Sequence, residues 1–168
     1  MPKLFKCYKE RMSCSSVSTE TSSPGERLGY LAICPYATYR DDLFQAASIA
    51  QRIFYVNAPA FMQRLIGELN GECVDCSIYA HKKQMLCDGL RAAGYEFVEP
   101  KGTFYLFVKS PLEDETKFVD MLKEERILGV AGRGFGYPGY FRLAFCVSDD
   151  TIKNSLPGFK KVIESLKP

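Results

Sequence analysis

The sequence predicts an α/β fold of strands and helices packed in layers, on three observations. Segments with the twofold alternation of strands take turns with segments of helical period. Apolar residues make up 46% and charged residues 25% of the chain, the proportions of an ordinary folded domain, which excludes disorder. With 168 residues the chain hides roughly 70% of its unfolded surface, enough for a real core in one domain or in two small lobes.

The first β-like run is Met12 to Ser18 and the second is Leu28 to Cys34. The connection holds hydroxyls, the turn Pro24-Gly25 and one guanidinium, Arg27. Hydroxyls, loop N–H groups and an arginine fork are what a bound phosphate needs. A plain polar turn between strands is the alternative. A two-stranded ribbon is marginal alone, so these strands read as the edge of a sheet whose other strands lie outside this chain.

A helix follows from Leu43 to about Phe54, interrupted by Asn57-Ala58-Pro59. Pro59 suits the first turn of another helix, with Phe61, Leu65, Ile66 and Leu69 at helical spacing. The longest helix is placed from Val74 to Ala93, with Ile78, Met85, Leu86, Leu90 and Ala93 on one face and Gly94 at its stop. Glu96 to Val98 reads as a short strand. Thr103 to Val108 reads as a strand apolar on both faces, and therefore central in its sheet. Asp114 to Glu125 is helical with Phe118, Val119 and Leu122 inward; Ile127 to Ala131 is a strand. The glycine-rich turn 132–139 leads into the strand Tyr140 to Val147. The last helix starts after Ser148, a good N-cap. Ile152, Leu156, Phe159, Ile163 and Leu166 form its buried stripe, and Pro157 is expected to kink or split it.

Charge excludes some partners. A net charge of +2 does not point to nucleic acid or a membrane surface, and the apolar runs are too short to span a bilayer. The stretch Met1 to Lys6 lacks the apolar core of a signal peptide. Seven scattered cysteines suggest reduced thiols and a cytoplasmic location. Cys73 and Cys76 have the spacing of half a zinc site or a redox pair. No second pair stands at finger spacing, and burial as small hydrophobes at a helix start is the competing reading.

Three patterns bear on chemistry, and one of them, around Arg142, could carry it. Alternation in Tyr140 to Val147 puts Phe141, Leu143, Phe145 and Val147 on one face, and Tyr140, Arg142, Ala144 and Cys146 on the other. An arginine among such neighbours needs a partner: an internal carboxylate, an edge position in water, or the carboxylate of a ligand, which its fork suits. Gly134-x-Gly136-x-x-Gly139 matches a dinucleotide fingerprint in letters only, since it precedes a strand and opens no helix. Asp41-Asp42 and Asp149-Asp150 stand before helices and read as caps rather than as an acid–base pair.

Ser16, Pro24-Gly25-Glu26-Arg27 and Gly29-Tyr30 resemble the cofactor-lysine segment of the pyridoxal-phosphate-dependent class I/II aminotransferases, of fold type I and aspartate aminotransferase-like. Gly134 to Cys146 resembles the small-domain signature of that family, Gly102 to Phe107 its Gly-x-Phe-Tyr strand, and Ser155 to Phe159 an ending found in many of its bacterial-type members. The resemblance implies an α/β sandwich: residual large-domain strands and a connecting helix over 1–56, and a C-terminal small domain over 57–168. It implies amino-group transfer between an amino acid and a 2-oxo acid, with Ser16 and Arg27 binding the cofactor phosphate and Arg142 binding the substrate carboxylate. At the Schiff-base lysine position, eight residues before Arg27, this chain has Thr19.

Three expectations follow. The chain is a C-terminal portion or truncated product, inactive alone, that does not bind pyridoxal phosphate covalently. Alternatively it is a non-catalytic module that works as a homodimer or with a complementing chain, as the orphan strand pair with apolar Leu28, Leu31 and Ile33 suggests. The third is non-covalent binding of a small anion between Arg27 and Arg142. No metal site is expected.

Overall fold

The computed structural model describes residues 10–17, 24–69 and 72–166. Thr19 lies outside them. The chain divides into two compact units, one ending at Val74 and one starting at Asp75.

In the first unit, β1 (Met12–Ser16) and β2 (Gly29–Ile33) form an antiparallel two-stranded sheet, in register from Met12 opposite Ile33 to Ser16 opposite Gly29. Gly29 is required by this pairing, because a Cβ there would stand 2.7 Å from the Ser15 carbonyl oxygen. No third strand joins the ribbon among the described residues. Two helices follow, α1 (Arg40–Phe54) and α2 (Ala60–Glu68). Tyr39 precedes α1 without capping it, so Asp41 and Asp42 sit inside the first turn rather than at the cap; there they favour the helix dipole. Pro59 stands at the N-cap of α2. The face predicted for α2 is not the buried one: Met62 is buried, whereas Phe61 is 75% exposed. Val17, Cys34, Ala37 and Met62 are the buried apolar residues described in this unit.

The second unit is better filled. Helix α3 (Cys76–Ala93) is capped by Asp75, whose carboxylate accepts from the Ser77 N–H, and it ends at Gly94 with φ 94°. Cys73 and Cys76 are exposed, not buried as the sequence suggested. The sheet has three antiparallel strands in the order β3 (Tyr105–Lys109), β5 (Tyr140–Ala144), β4 (Val130–Ala131). The central strand is β5, and β3 lies at the edge with only an isolated bridge, Phe97 to Val108, on its outer side. That bridge is all that forms of the expected strand at Glu96 to Val98, and β4 is two residues of the five expected.

The helices α4 (Glu115–Glu124) and α5 (Asp149–Ser165) complete the unit, capped by Asp114 and Ser148. Helix α5 is not split at Pro157. The proline is exposed, so solvent can serve the carbonyl that loses its partner. One face of the sheet (Leu106, Val108, Phe141, Leu143) packs with Leu86 and Leu90 of α3, Phe118 and Leu122 of α4, and Ile152, Phe159 and Val162 of α5. The opposite face carries Tyr105, Phe107, Tyr140 and Arg142, and it is not roofed by a helix of this unit's core cluster.

Candidate functional site

Strand alternation puts Arg142 on the uncovered face of the sheet. In register it lies opposite Phe107 on one side and Val130 on the other. Its side chain is half-buried. The guanidinium carbon stands 4.3 Å from the centre of the Tyr105 ring and 4.0 Å from that of Phe135. Stacked rings attract the cation and hold its plane. Among the described residues of this unit, no carboxylate reaches ion-pair distance of Arg142, which removes the internal salt bridge considered from the sequence. Neighbouring cations are engaged instead: Lys109 pairs with Glu96 at 2.8 Å, and Arg133 pairs with Asp114 and Glu115.

The aromatic wall continues around it. Phe107 meets Phe135 edge-on at 6.0 Å and Tyr137 at 5.9 Å, and Tyr137 packs on Tyr140 at 4.4 Å. Phe135 and Tyr137 come from the glycine-rich segment 132–139, which forms a short 3₁₀ turn at Gly132–Phe135. This turn leads into β5 and opens no helix, so it is not a dinucleotide cradle; Gly132 serves close packing, and Gly136 and Gly139 serve the backbone turn. A Cβ on Gly132 would collide with the carbonyl oxygens of Tyr137 and Tyr140, and Gly136 and Gly139 have φ of 73° and 79°.

Underneath the turn lies a residue whose importance the sequence did not reveal. Glu115, in the first turn of α4, is 1% exposed. Its carboxylate accepts from Arg133 Nε at 2.7 Å, Arg133 Nη2 at 3.1 Å, the Arg133 backbone N–H at 3.3 Å and the Gly139 N–H at 3.2 Å. The Arg133 hydrogen bonds are the main cause that pulls its carboxyl down to about 2, against the opposing effect of burial. An acid at a helix start ordinarily signals only the dipole, and no spacing in the sequence links it to a turn 18 residues away.

In the first unit, Ser16 closes β1 opposite Gly29, and the Val17 N–H donates to the Leu28 carbonyl oxygen at 3.0 Å. Arg27 is therefore two residues beyond Ser16's partner, at the same end of the ribbon. It follows the 3₁₀ turn Pro24–Glu26 and has φ 50°, in the left-handed region that non-glycine residues seldom occupy. With Cys14, Tyr30 and Phe44 it lines a cleft of about 880 Å³. Among the described residues no cluster of histidine, cysteine or acidic side chains could hold a metal ion, and no helix is long and apolar enough to cross a membrane.

Comparison with known proteins bears on both units. The model of the family "Aminotransferase class I and II" matches residues 4–157. An aspartate aminotransferase of Thermotoga maritima is 33% identical over 88 residues, covering 52% of this chain and 23% of that protein. An LL-diaminopimelate aminotransferase of Moorella thermoacetica is 25% identical over 158 residues, covering 89% of this chain and 39% of the relative. The crystal structure of an aminotransferase from Eubacterium rectale superposes with a TM-score of 0.87 and 36% identity, over 98% of this chain and 42% of that one. The chain thus spans less than half the length of each of these relatives.

Proposed function

The chain belongs to the class I and II aminotransferase family, and from that premise we propose that it carries the carboxylate-gripping and phosphate-holding residues of an amino-group transferase without the residue that would bind the cofactor covalently. The family is pyridoxal-phosphate-dependent. Arg142 carries the proposal: a half-buried guanidinium on the central strand, stacked with Tyr105 and Phe135 and lacking a carboxylate from the described residues of its unit. Stacking fixes the plane of the fork, and two in-plane N–H groups then suit the two oxygens of an amino-acid or 2-oxo-acid carboxylate.

Arg27 and Ser16 fit the cofactor's phosphate by their chemistry. A guanidinium and a hydroxyl stand at one ribbon end, and the left-handed φ of Arg27 is the kind of local strain that collects at binding sites. When bound, pyridoxal phosphate supplies the electron sink for amino transfer. Thr19 stands at the position of the family's lysine. A hydroxyl cannot attach the cofactor as an amine does, nor is it a base near neutral pH. Losing one positioned acid–base group costs roughly 10²–10⁴ in rate, so the isolated chain is expected to show no appreciable transaminase activity.

The test has two arms. Incubating the chain with pyridoxal phosphate and reducing with borohydride is expected to leave no stoichiometric adduct on any single lysine; finding one overturns the loss of covalent binding. Titration with benzoate, followed at the Arg142 Nε–Hε resonance, is expected to saturate in the native chain, and benzoate binding measured by calorimetry is expected to be present in the native chain and lost in Arg142→Lys. An unresponsive resonance overturns the role of Arg142.

A second reading rests on its own observation. Helix α1 has no buried residue, and Phe44, Ile49, Ile53 and Phe54 are 60–80% exposed. Large apolar side chains this open on one helix suit a second copy or a complementing chain, and sedimentation over a concentration range distinguishes them from a monomer.

A further inference from the structure

The segment that brings Phe135 onto Arg142 has little to hold it in its own composition. It runs Gly132-Arg-Gly-Phe-Gly-Tyr-Pro-Gly139, half glycine, and most of it is exposed. Within the turn, the Tyr137 N–H donates to the Gly132 carbonyl oxygen at 3.0 Å and the Gly136 N–H to that of Arg133 at 3.1 Å. Neither bond ties the turn to the rest of the unit. Glu115 does so at both ends: three of its four donors belong to Arg133 near the start, and the fourth is the Gly139 N–H at the finish. Asp114 adds a bond to Arg133 Nη2 at 2.9 Å.

The carboxylate is 1% exposed, on the same helix that sends Phe118 and Leu122 into the core. The Ser110 N–H also donates to the Gly139 carbonyl oxygen at 2.9 Å, so the finish of the turn has a second tie, whereas at its start Arg133 is held by the carboxylates of Glu115 and Asp114. At the far side of that turn stands the Phe135 ring, 4.0 Å from the guanidinium carbon of Arg142.

We propose that Glu115 is a positioning residue for Arg142: by clamping Arg133 and Gly139 it holds the 132–139 turn so that Phe135 fixes the plane in which Arg142 offers its fork to a carboxylate. The fixed plane is the part of the inference that rests on the carboxylate-binding reading of Arg142; the coupling of Glu115 to the arginine does not. Glu115 touches neither arginine's ligand nor cofactor in this scheme. It acts through Phe135.

The 168-residue chain tests this with Glu115→Gln, which keeps the shape but removes the charge and one acceptor oxygen. The readout is the Arg142 Nε–Hε resonance, shifted by the ring current of Phe135 in the native chain. With Glu115→Gln it is expected to move toward the position it takes in Phe135→Leu, while backbone resonances of α3 and α5 stay in place. Benzoate affinity is expected to fall about three- to tenfold, the cost of ordering a freed side chain on binding. A purely structural role predicts the opposite pattern, lower stability with the Arg142 resonance unmoved, and that result overturns the proposal. Should Glu115→Gln fail to fold, Arg133→Met, which removes the clamp's main donor from a half-exposed position and leaves Glu115 in place, is read by the same resonance. If benzoate leaves the native Arg142 resonance unmoved, the carboxylate reading fails on its own, and the ring-current shift still decides whether Glu115 positions the arginine.

Discussion

Arg142 and Glu115 show how differently two charges can be accommodated within one unit. Arg142 has rings, and among the described residues no counter-charge, which is what the proposed carboxylate grip requires. Glu115 is saturated by four N–H donors and has nothing left to offer one. Its saturation has a consequence for stability. Folding lowers the carboxyl from its ordinary value near 4.5 to about 2, chiefly through the Arg133 hydrogen bonds. A group depressed in the folded state stabilises the fold above the unfolded value, and that contribution drains away as pH falls toward the folded one. Urea midpoints are therefore expected to drop between about pH 4.5 and 2. In Glu115→Gln, which has no carboxyl to titrate there, the curve is expected to be flatter over the same window. Equal slopes in the two proteins would show that the clamp is not linked to folding. Other depressed carboxylates, Glu96 and Glu99 among them, are common to both proteins and cancel in the comparison.

Among the elements, helices α3 and α5 form a close crossing. A Cβ built on Gly89 of α3 would overlap the side chain of Leu156 on α5. Gly89→Leu is expected to lose about 1–3 kcal/mol through overpacking, although leucine gains helix propensity over glycine. Gly67, in α2, has open space around it, and Gly67→Ala should gain up to about 1 kcal/mol from propensity alone. Thermal or urea unfolding of both variants checks the sign of each. Local rules made much of this architecture readable in advance. Gly94 stops α3 and Ser148 caps α5 as the residue types require, and the alternation in β5 put Phe141 and Leu143 inside and Arg142 outside. Several misreadings share one cause, the assumption that apolar means buried. Tyr105 and Phe107 made β3 look two-faced and central, yet they form the aromatic wall beside Arg142 on an edge strand. Leu65 and Phe61 made a stripe on α2 that solvent covers. Glu115 is the converse, an acid whose burial depends on a turn that no local pattern connects to it.

For the whole molecule, the two units differ in how much of their apolar surface they bury, and therefore in how each should open. The unit from Asp75 onward encloses a contiguous core in which Leu90, Leu106, Val108, Phe118, Leu122 and Phe141 have no exposed surface. Each such side chain is worth roughly 1.5–3 kcal/mol. The unit ending at Val74 has a two-stranded sheet and a fifteen-residue helix without one buried residue, and a ribbon or helix of that kind draws little stability from itself. Opening free energies within a native protein follow local burial. Hydrogen exchange at low protein concentration is expected to divide accordingly: amides of α3, α4, α5 and β5 slowest, amides of α1 and α2 faster by orders of magnitude. If α1 proves as protected as β5, its apolar side chains are covered in solution. Repeating the measurement across a range of concentrations then identifies the cover, because protection by a second copy weakens on dilution, whereas protection from within the chain does not.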